Sequence, residues 1–193
     1  MLLGSYMTAI ADKLKIELSA AYDIDLIHFH SQEQKETPFI YPIRTKIETL
    51  VHLIEAFKTG PEPVKIDSDV LMELSTKELR TPRDLMQEVG MFIRNIFGKD
   101  IHLKHLNLDK EITIVSDLRF KNEFDYLEKM EKKGYLHLPL YIQNYQAENS
   151  GDTHISEQEF RKFSKKCIKI DNNDKDIEFL ADQLEEVFRA NFE

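Results

Sequence analysis

The chain has 193 residues, of which 41% are hydrophobic and 32% are charged, so it can bury a core and fits a single domain over 1–193. Its formal net charge of −9 argues against broad electrostatic binding to DNA or to an anionic membrane. We find neither an apolar run of membrane-spanning length nor a secretory signal pattern, so we expect a cytoplasmic location. The only cysteine, Cys167, cannot form an internal disulfide and is interpreted as a core thiol.

The first hundred residues predict mainly helices. Apolar residues recur at three- and four-residue spacing in two clear amphipathic helices, and a polar stretch separates them. Thr81 and Pro82 then predict the start of a strong helix, which Gly98 ends. The remaining predictions here are a short strand in 1–7, helices over 8–22 and 44–58, a loop or irregular helices over 23–39, and another short helix within 64–80.

The second half of the chain alternates between strands and helices. Strands are predicted over 112–116, 136–142 and 166–170, each followed by a helical pattern, and the last helix covers 174–192. This alternation predicts a parallel sheet covered by helices.

The stretch 111–123 (EITIVSDLRFKNE) organises the predicted site. Its apolar run predicts a buried strand, after which Asp117 and Arg119 follow immediately. Ligands of open α/β sheets bind beyond the carboxyl ends of the strands, so these two residues are candidates for a site. The alternative is that they form only a local ion pair or helix cap.

Two further places carry candidate residues. Arg83 lies in the first turn of a helix, where the backbone N–H groups and the helix dipole favour an anion, although it can also be a solvated surface charge. His154 and Glu157 follow a polar loop. There the alternative is that Ser156 caps a helix while His154 stays in solvent.

No metal site is expected, because the pairs His28/His30 and His102/His105 have no third ligand at suitable spacing. The sequence contains no GxSxG, HExxH or CxxC motif, and no GxxxxGK[ST] phosphate-binding motif.

Three segments, TPRDLMQEVG, IVSDLRFKNEF and DTHISE, resemble motifs of the phage-type deoxynucleoside monophosphate kinases. ADKLKIEL and KETP resemble two further segments of that family, so the resemblance spans about residues 8–190. These are P-loop enzymes that transfer the γ-phosphate of ATP to a deoxynucleoside monophosphate. The matching positions are Arg83, Leu85, Gln87 and Gly90, then Asp117, Arg119, Asn122 and Glu123, then His154, Ser156 and Glu157.

The resemblance implies a three-layer parallel sheet of the P-loop nucleotide kinase type, with residues 23–80 as a helical substrate lid. It implies catalytic roles for Arg83, Asp117 and Arg119. It also implies substrate-binding roles for Lys15, Lys35, Gln87, His154 and Glu157. Mg²⁺ and ATP are the cofactors if the chain is active, and Asp117 is then a candidate to help hold Mg²⁺.

The chain departs from this family at its start. Only seven residues precede Thr8, whereas the family has its first strand, its phosphate-binding loop and its first helix before the ADxLK segment. The glycine-rich loop holds the β- and γ-phosphates, so the ATP half of the site is expected to be lost. Removing the central strand also leaves two strand edges to be filled by 1–7, by a partner chain or second copy, or by direct pairing of the flanking strands. Alternatively, the chain begins downstream of its natural start.

Three functions follow as expectations. The first is a kinase relative that binds the monophosphate, and the second is a non-catalytic descendant that binds nucleotides or proteins and acts as a regulator. The third is a metal-dependent hydrolase built on Asp117, Glu123 and His154, which has little support from spacing.

Overall fold

In a computed structural model the fold is mixed α/β, with about 55% helix and short parallel strands. The structure describes residues 5–108, 110–143, 159, 162–173 and 176–192. Its contacts group the chain into two compact units, Met1–Leu118 and Arg119–Glu193. The expectation of a single domain stays a prediction. No helix in the described part of the chain is long and apolar enough to cross a membrane.

The first unit contains one small parallel sheet and seven helices among its described residues. Strand β1 pairs with β2 in parallel, in a register that places Met7 opposite Ile114. A short strand was predicted within 1–7, and β1 confirms it while extending one residue further. The elements in order are β1 (Ser5–Thr8), α1 (Asp12–Tyr22), α2 (Ile27–His30), α3 (Gln32–Glu36), α4 (Ile47–Phe57), α5 (Ser68–Thr76), α6 (Pro82–Phe97), α7 (Ile101–Lys104) and β2 (Ile112–Val115).

A hydrophobic core joins α1, α4 and α6 of this unit. The apolar faces predicted from helical periodicity account for most of it, including fully buried Leu18, Leu50, Leu85 and Ile93. On α4 the predicted face was wrong by part of a turn. Val51 is 42% exposed, and Leu53 is buried in its place.

The start of α6 is held by reciprocal hydrogen bonds. The Thr81 hydroxyl accepts from the Asp84 N–H at 3.1 Å, and the Asp84 carboxylate accepts from the Thr81 N–H at 3.0 Å. Pro82 occupies the first helical position, where a missing N–H costs nothing. The predicted cap and the predicted end at Gly98 are both confirmed.

The second unit has its own parallel pair of strands. Its elements are α8 (Lys121–Met130), a 3₁₀ turn (Glu131–Lys133), β3 (Leu140–Gln143), a second 3₁₀ turn (Ser164–Lys166), β4 (Ile168–Asp171) and α9 (Ile177–Phe192). Strands β3 and β4 run parallel, with Leu140 opposite Ile168. Phe124 stacks on Phe163 at 4.8 Å between ring centroids and anchors the local core.

The described strands form two separate two-stranded parallel sheets, so the three-layer sheet implied by the resemblance is not seen in the described part of the chain and stays a prediction. Two expectations about burial are corrected. Ile114 of β2 is 42% exposed, so β2 is not buried on both faces as its apolar run predicted. Ile177, predicted to point inward, is 81% exposed at the first position of α9.

Cys167 is half-buried immediately before β4, and its thiol contacts the Phe163 carbonyl oxygen at 3.8 Å. Burial raises the pKa of this thiol above its ordinary value. The predicted core position is therefore only partly met, because the thiol is half-buried and lies one residue before the strand.

Candidate functional site

The turn that connects β1 to α1 is short and carries three consecutive backbone N–H donors. Ala9, Ile10 and Ala11 are the only residues between the strand and the helix. The Ile10 N–H donates to Asp117 Oδ1 at 2.5 Å, and the Ala11 N–H donates to Asp117 Oδ2 at 3.2 Å. The Ala9 N–H donates to the Asp12 carboxylate at 2.6 Å. Each of the three donors therefore already has a carboxylate acceptor.

Strand β2 places Asp117 at this turn. The Ser116 N–H donates to the Thr8 carbonyl oxygen at 3.1 Å, which extends the parallel ladder by one step beyond Val115. Asp117 therefore follows directly from the carboxyl end of β2, as predicted. Its carboxylate accepts from the turn that precedes α1, more than a hundred residues away in sequence, whereas the alternative interpretation was a local ion pair or helix cap.

Asp12 makes the second carboxylate of the turn. Burial raises its pKa, but the Ala9 N–H and the neighbouring Lys15 lower it by more, so the net pKa lies below the ordinary value. Lys15 Nζ lies 3.2 Å from Asp12 Oδ1, and the Lys15 side chain is almost entirely buried. The ionised Asp12 and the buried Lys15 therefore form an ion pair in the first turn of α1.

Arg83 bridges two helices. Its guanidinium Nε pairs with Glu36 at the end of α3, while Arg83 itself lies in the first turn of α6. The side chain is half-buried, so Arg83 is more than a solvated surface charge. No sequence pattern indicates Glu36, because nothing local links two residues that lie 47 positions apart.

Three of the predicted substrate-binding or catalytic cations lie in the same unit. Lys15, Lys35 and Arg83 lie on α1, α3 and α6, and α6 packs against both other helices. Burial lowers the pKa of His30, and the positive charges of Lys15 and Lys35 lower it further, against the opposing effect of Asp12. His30 therefore shares the electrostatic environment of both lysines, which sequence spacing alone did not indicate.

Two other motif residues of α6 have different roles. Gly90 lies against α1, since a Cβ added there would meet Leu14 Cδ2 at 3.0 Å. Gln87 is exposed and borders an open pocket of about 320 Å³ together with Arg80 and Lys77. Gly90 therefore serves helix packing, whereas Gln87 is accessible to a ligand.

The remaining candidates belong to the second unit. The backbone N–H groups of Arg119 and Phe120 donate to the Glu123 carboxylate at 3.0 and 2.9 Å, which caps the start of α8. Glu123 is buried and used in this way, which leaves it poorly placed as the metal ligand of the hydrolase hypothesis. The Arg119 side chain is exposed. His154, Ser156 and Glu157 lie outside the described residues.

The pair His102/His105 packs against an aromatic ring. His102 and His105 both contact the Phe57 ring edge-on, with centroids 5.5 and 5.4 Å away. Within the residues that the structure describes, no three His, Cys, Asp or Glu side chains are grouped as metal ligands.

No protein-family model, curated protein or solved structure matches this chain. The resemblance to the deoxynucleoside monophosphate kinases therefore rests on the sequence motifs alone.

Proposed function

We propose that this chain is a relative of the phage-type deoxynucleoside monophosphate kinases that binds a deoxynucleoside monophosphate but does not hold ATP phosphates at its β1–α1 turn. It then acts as a nucleotide-binding or regulatory protein rather than as an independent kinase. The three-layer sheet with residues 23–80 as a substrate lid is part of this proposal. ATP and Mg²⁺ are cofactors only in the alternative, in which the chain retains phosphoryl transfer.

The hydrogen bonds of Asp117 carry the proposal. A phosphate-binding turn between a strand and a helix works because its backbone N–H groups are free to donate to phosphate oxygens. Here the Ile10 and Ala11 N–H groups donate to a carboxylate of the same chain. A phosphate that entered this turn would find those donors already occupied, and the negative charges of Asp117 and Asp12 would repel it. The printed sequence also contains no glycine-rich GxxxxGK[ST] segment to supply a substitute.

The monophosphate half of the site is supported by the cations of α1, α3 and α6. A guanidinium such as that of Arg83 can grip a phosphate with two parallel hydrogen bonds, and Glu36 holds it in position between two helices. Lys15 and Lys35 add positive charge in the same unit, which favours a dianionic phosphate over a neutral nucleoside. Arg119, His154 and Glu157 stay candidates from the resemblance for contacts to the phosphate, the sugar or the base.

The direct test is isothermal titration of the purified chain with each deoxynucleoside monophosphate and, separately, with Mg-ATP. We expect a monophosphate to bind with a micromolar dissociation constant and Mg-ATP to give no heat of binding. Chromatography after incubation with both nucleotides should show no deoxynucleoside diphosphate. Binding of neither nucleotide contradicts the proposal, and diphosphate formation supports the kinase alternative instead.

A further inference from the structure

The connection between α3 and α4 presents two large apolar side chains to solvent. Ile40 is 91% exposed and Tyr41 is 81% exposed, the largest exposed fractions among the large hydrophobic residues that the structure describes in this unit. Residues 38–42, here called the apolar loop, begin and end with Pro38 and Pro42. Side chains this exposed bury no apolar area within the chain, so they contribute little to its folding.

The backbone fixes the shape of the apolar loop at both ends. The Phe39 N–H donates to the Arg80 carbonyl oxygen at 2.7 Å. Ile43 and Leu79 exchange hydrogen bonds at 2.8 and 2.9 Å in an isolated antiparallel bridge. The two prolines restrict the backbone further. A pre-organised loop loses little conformational entropy on binding, which is the property that favours a docking element.

The surroundings of the apolar loop are basic although the chain is acidic. The two segments that the bridge holds together, 35–46 and 77–83, contain six lysines and arginines and two glutamates, whereas the whole chain has a net charge of −9. Three of the six basic side chains, those of Arg44, Lys77 and Arg83, form ion pairs with glutamates. Among the described residues the exposed side chains of Lys46 and Arg80 make no ion pair. Such local charge disfavours another basic surface and favours a carboxylate-rich one.

Helix α9 offers a surface of the opposite charge. It carries four acidic side chains and one arginine. An open groove of about 580 Å³ runs along it, lined among the described residues by Asp182, Glu185, Glu186, Arg189 and Ala190. Exposed Ile177 and Phe179 add apolar area to the same helix.

We propose that the apolar loop of one copy docks on the acidic α9 surface of a second copy, with Ile40 and Tyr41 as apolar anchors and Lys46 and Arg80 facing the carboxylates. Tyrosine and arginine are the residue types that dominate binding energy at protein interfaces. The two surfaces are different, so the contact is head-to-tail and extends to further copies instead of closing as a two-fold dimer. The apolar area is small, so the association is weak and concentration-dependent. This inference does not depend on nucleotide binding.

Sedimentation equilibrium of the full chain tests the inference. We expect the weight-average mass to rise between about 10 μM and about 1 mM, the range suited to a small interface. Raising the salt concentration should weaken the association, because charge attraction contributes to it. A chain that stays monomeric throughout this range at low salt overturns the proposal.

Two variants locate the surfaces. Ile40→Ser/Tyr41→Ser removes the anchors, and Asp182→Lys/Glu186→Lys reverses the charge of α9. Each should raise the apparent Kd at least about tenfold. Met91→Gln is the matched control, since Met91 is an exposed apolar residue of α6 in neither surface, and it should leave association unchanged. All three changes are at exposed positions, and circular dichroism melts should confirm that each variant folds.

Mixing the two variants gives the decisive result. Each retains one intact surface, so the mixture should form a one-to-one dimer at concentrations where each variant alone associates at least about tenfold more weakly than the wild type. If the loop variant loses association but the α9 variant does not, the loop binds elsewhere and the proposed site on α9 is wrong. If neither variant changes the association, the proposal fails altogether.

Discussion

The Asp117 carboxylate accepts a hydrogen bond of 2.5 Å from the Ile10 N–H, across 107 positions of sequence. Its second oxygen accepts from Ala11 at 3.2 Å, so one side chain at the end of β2 satisfies two donors at the start of α1. These two hydrogen bonds link the turn between β1 and α1 to the end of β2. They also place a carboxylate in a strand-to-helix turn, the kind of turn whose backbone N–H groups bind phosphate in P-loop proteins.

Asp117→Ala should lower the free energy of unfolding by about 1–3 kcal/mol, because it leaves two partly buried N–H groups without their acceptor. Chemical denaturation monitored by circular dichroism measures this change. Asp125→Ala is the matched control. Asp125 pairs with Lys121 one turn away on the surface, so its removal should cost less than about 1 kcal/mol. Equal losses for the two variants would mean that Asp117 has no special structural role.

Arg83→Gln should weaken deoxynucleoside monophosphate binding by about 10- to 100-fold, since hydrogen bonds to charged groups contribute about 1.5–3 kcal/mol. Isothermal titration measures the affinity. Arg44→Gln removes the charge of another arginine that pairs with a glutamate, Glu78, and should change the affinity much less. A similar loss in both variants would indicate general electrostatic attraction rather than a specific contact by Arg83.

Thr81→Ala should destabilise the chain by about 1 kcal/mol, because the Thr81 hydroxyl is the acceptor for the Asp84 N–H at the start of α6. Thermal or chemical unfolding gives the difference from wild type. Thr59→Ala, at an exposed position after α4, provides the same chemical change without a helix cap and should have little effect. If Thr81→Ala leaves the free energy of unfolding unchanged, Asp84 and Pro82 suffice to start the helix.

Stability should fall as the pH is lowered from 6.5 towards 4. Burial, together with the nearby positive charge of Arg94, lowers the pKa of His102 to about 4, although its hydrogen bond to the Gly90 backbone opposes this. The unfolded chain binds a proton near pH 6.5 and the folded chain does not, so acid favours unfolding by up to about 3 kcal/mol from this residue. Burial lowers the pKa values of His30 and His137 as well, which adds to the same trend.

Urea unfolding at pH 7 and pH 5 checks the role of His102. His102→Leu should reduce the stability difference between the two pH values, because the neutral side chain has no proton to gain. His52→Leu, at an exposed position of α4, should leave the difference unchanged. An unaltered pH dependence in His102→Leu would assign the effect to other groups.

Local chemistry in the sequence was enough to place most elements. Thr81, Pro82 and Gly98 bound α6 as predicted, because caps and helix ends depend on neighbouring residues only. The start of α1 was misplaced by four residues. Thr8 to Ala11 are compatible with a helix by composition, but Thr8 ends β1, and the carboxylate of Asp117 holds Ile10 and Ala11 in a turn from a distant part of the chain.

In the candidate site, too, the sequence indicates the residues and the tertiary structure shows their partners. The sequence indicated Asp117 and Arg83 as chemistry-bearing residues from their places after a strand and at a helix start. It did not indicate that Asp117 bonds to Ile10 or that Arg83 pairs with Glu36, because both partners are far away in sequence. The exposure of Ile40 and Tyr41 was equally invisible, since an apolar residue in a loop can be buried or exposed with the same sequence around it.

The sequence by itself therefore determined the order of helices and strands, the parallel direction of strands and the identities of the charged candidates, since these follow from periodicity, caps and residue chemistry. Only the tertiary structure decided which charges neutralise one another and which backbone donors are already satisfied. Those depend on contacts between residues far apart in the chain, and such contacts form only when distant segments fold together.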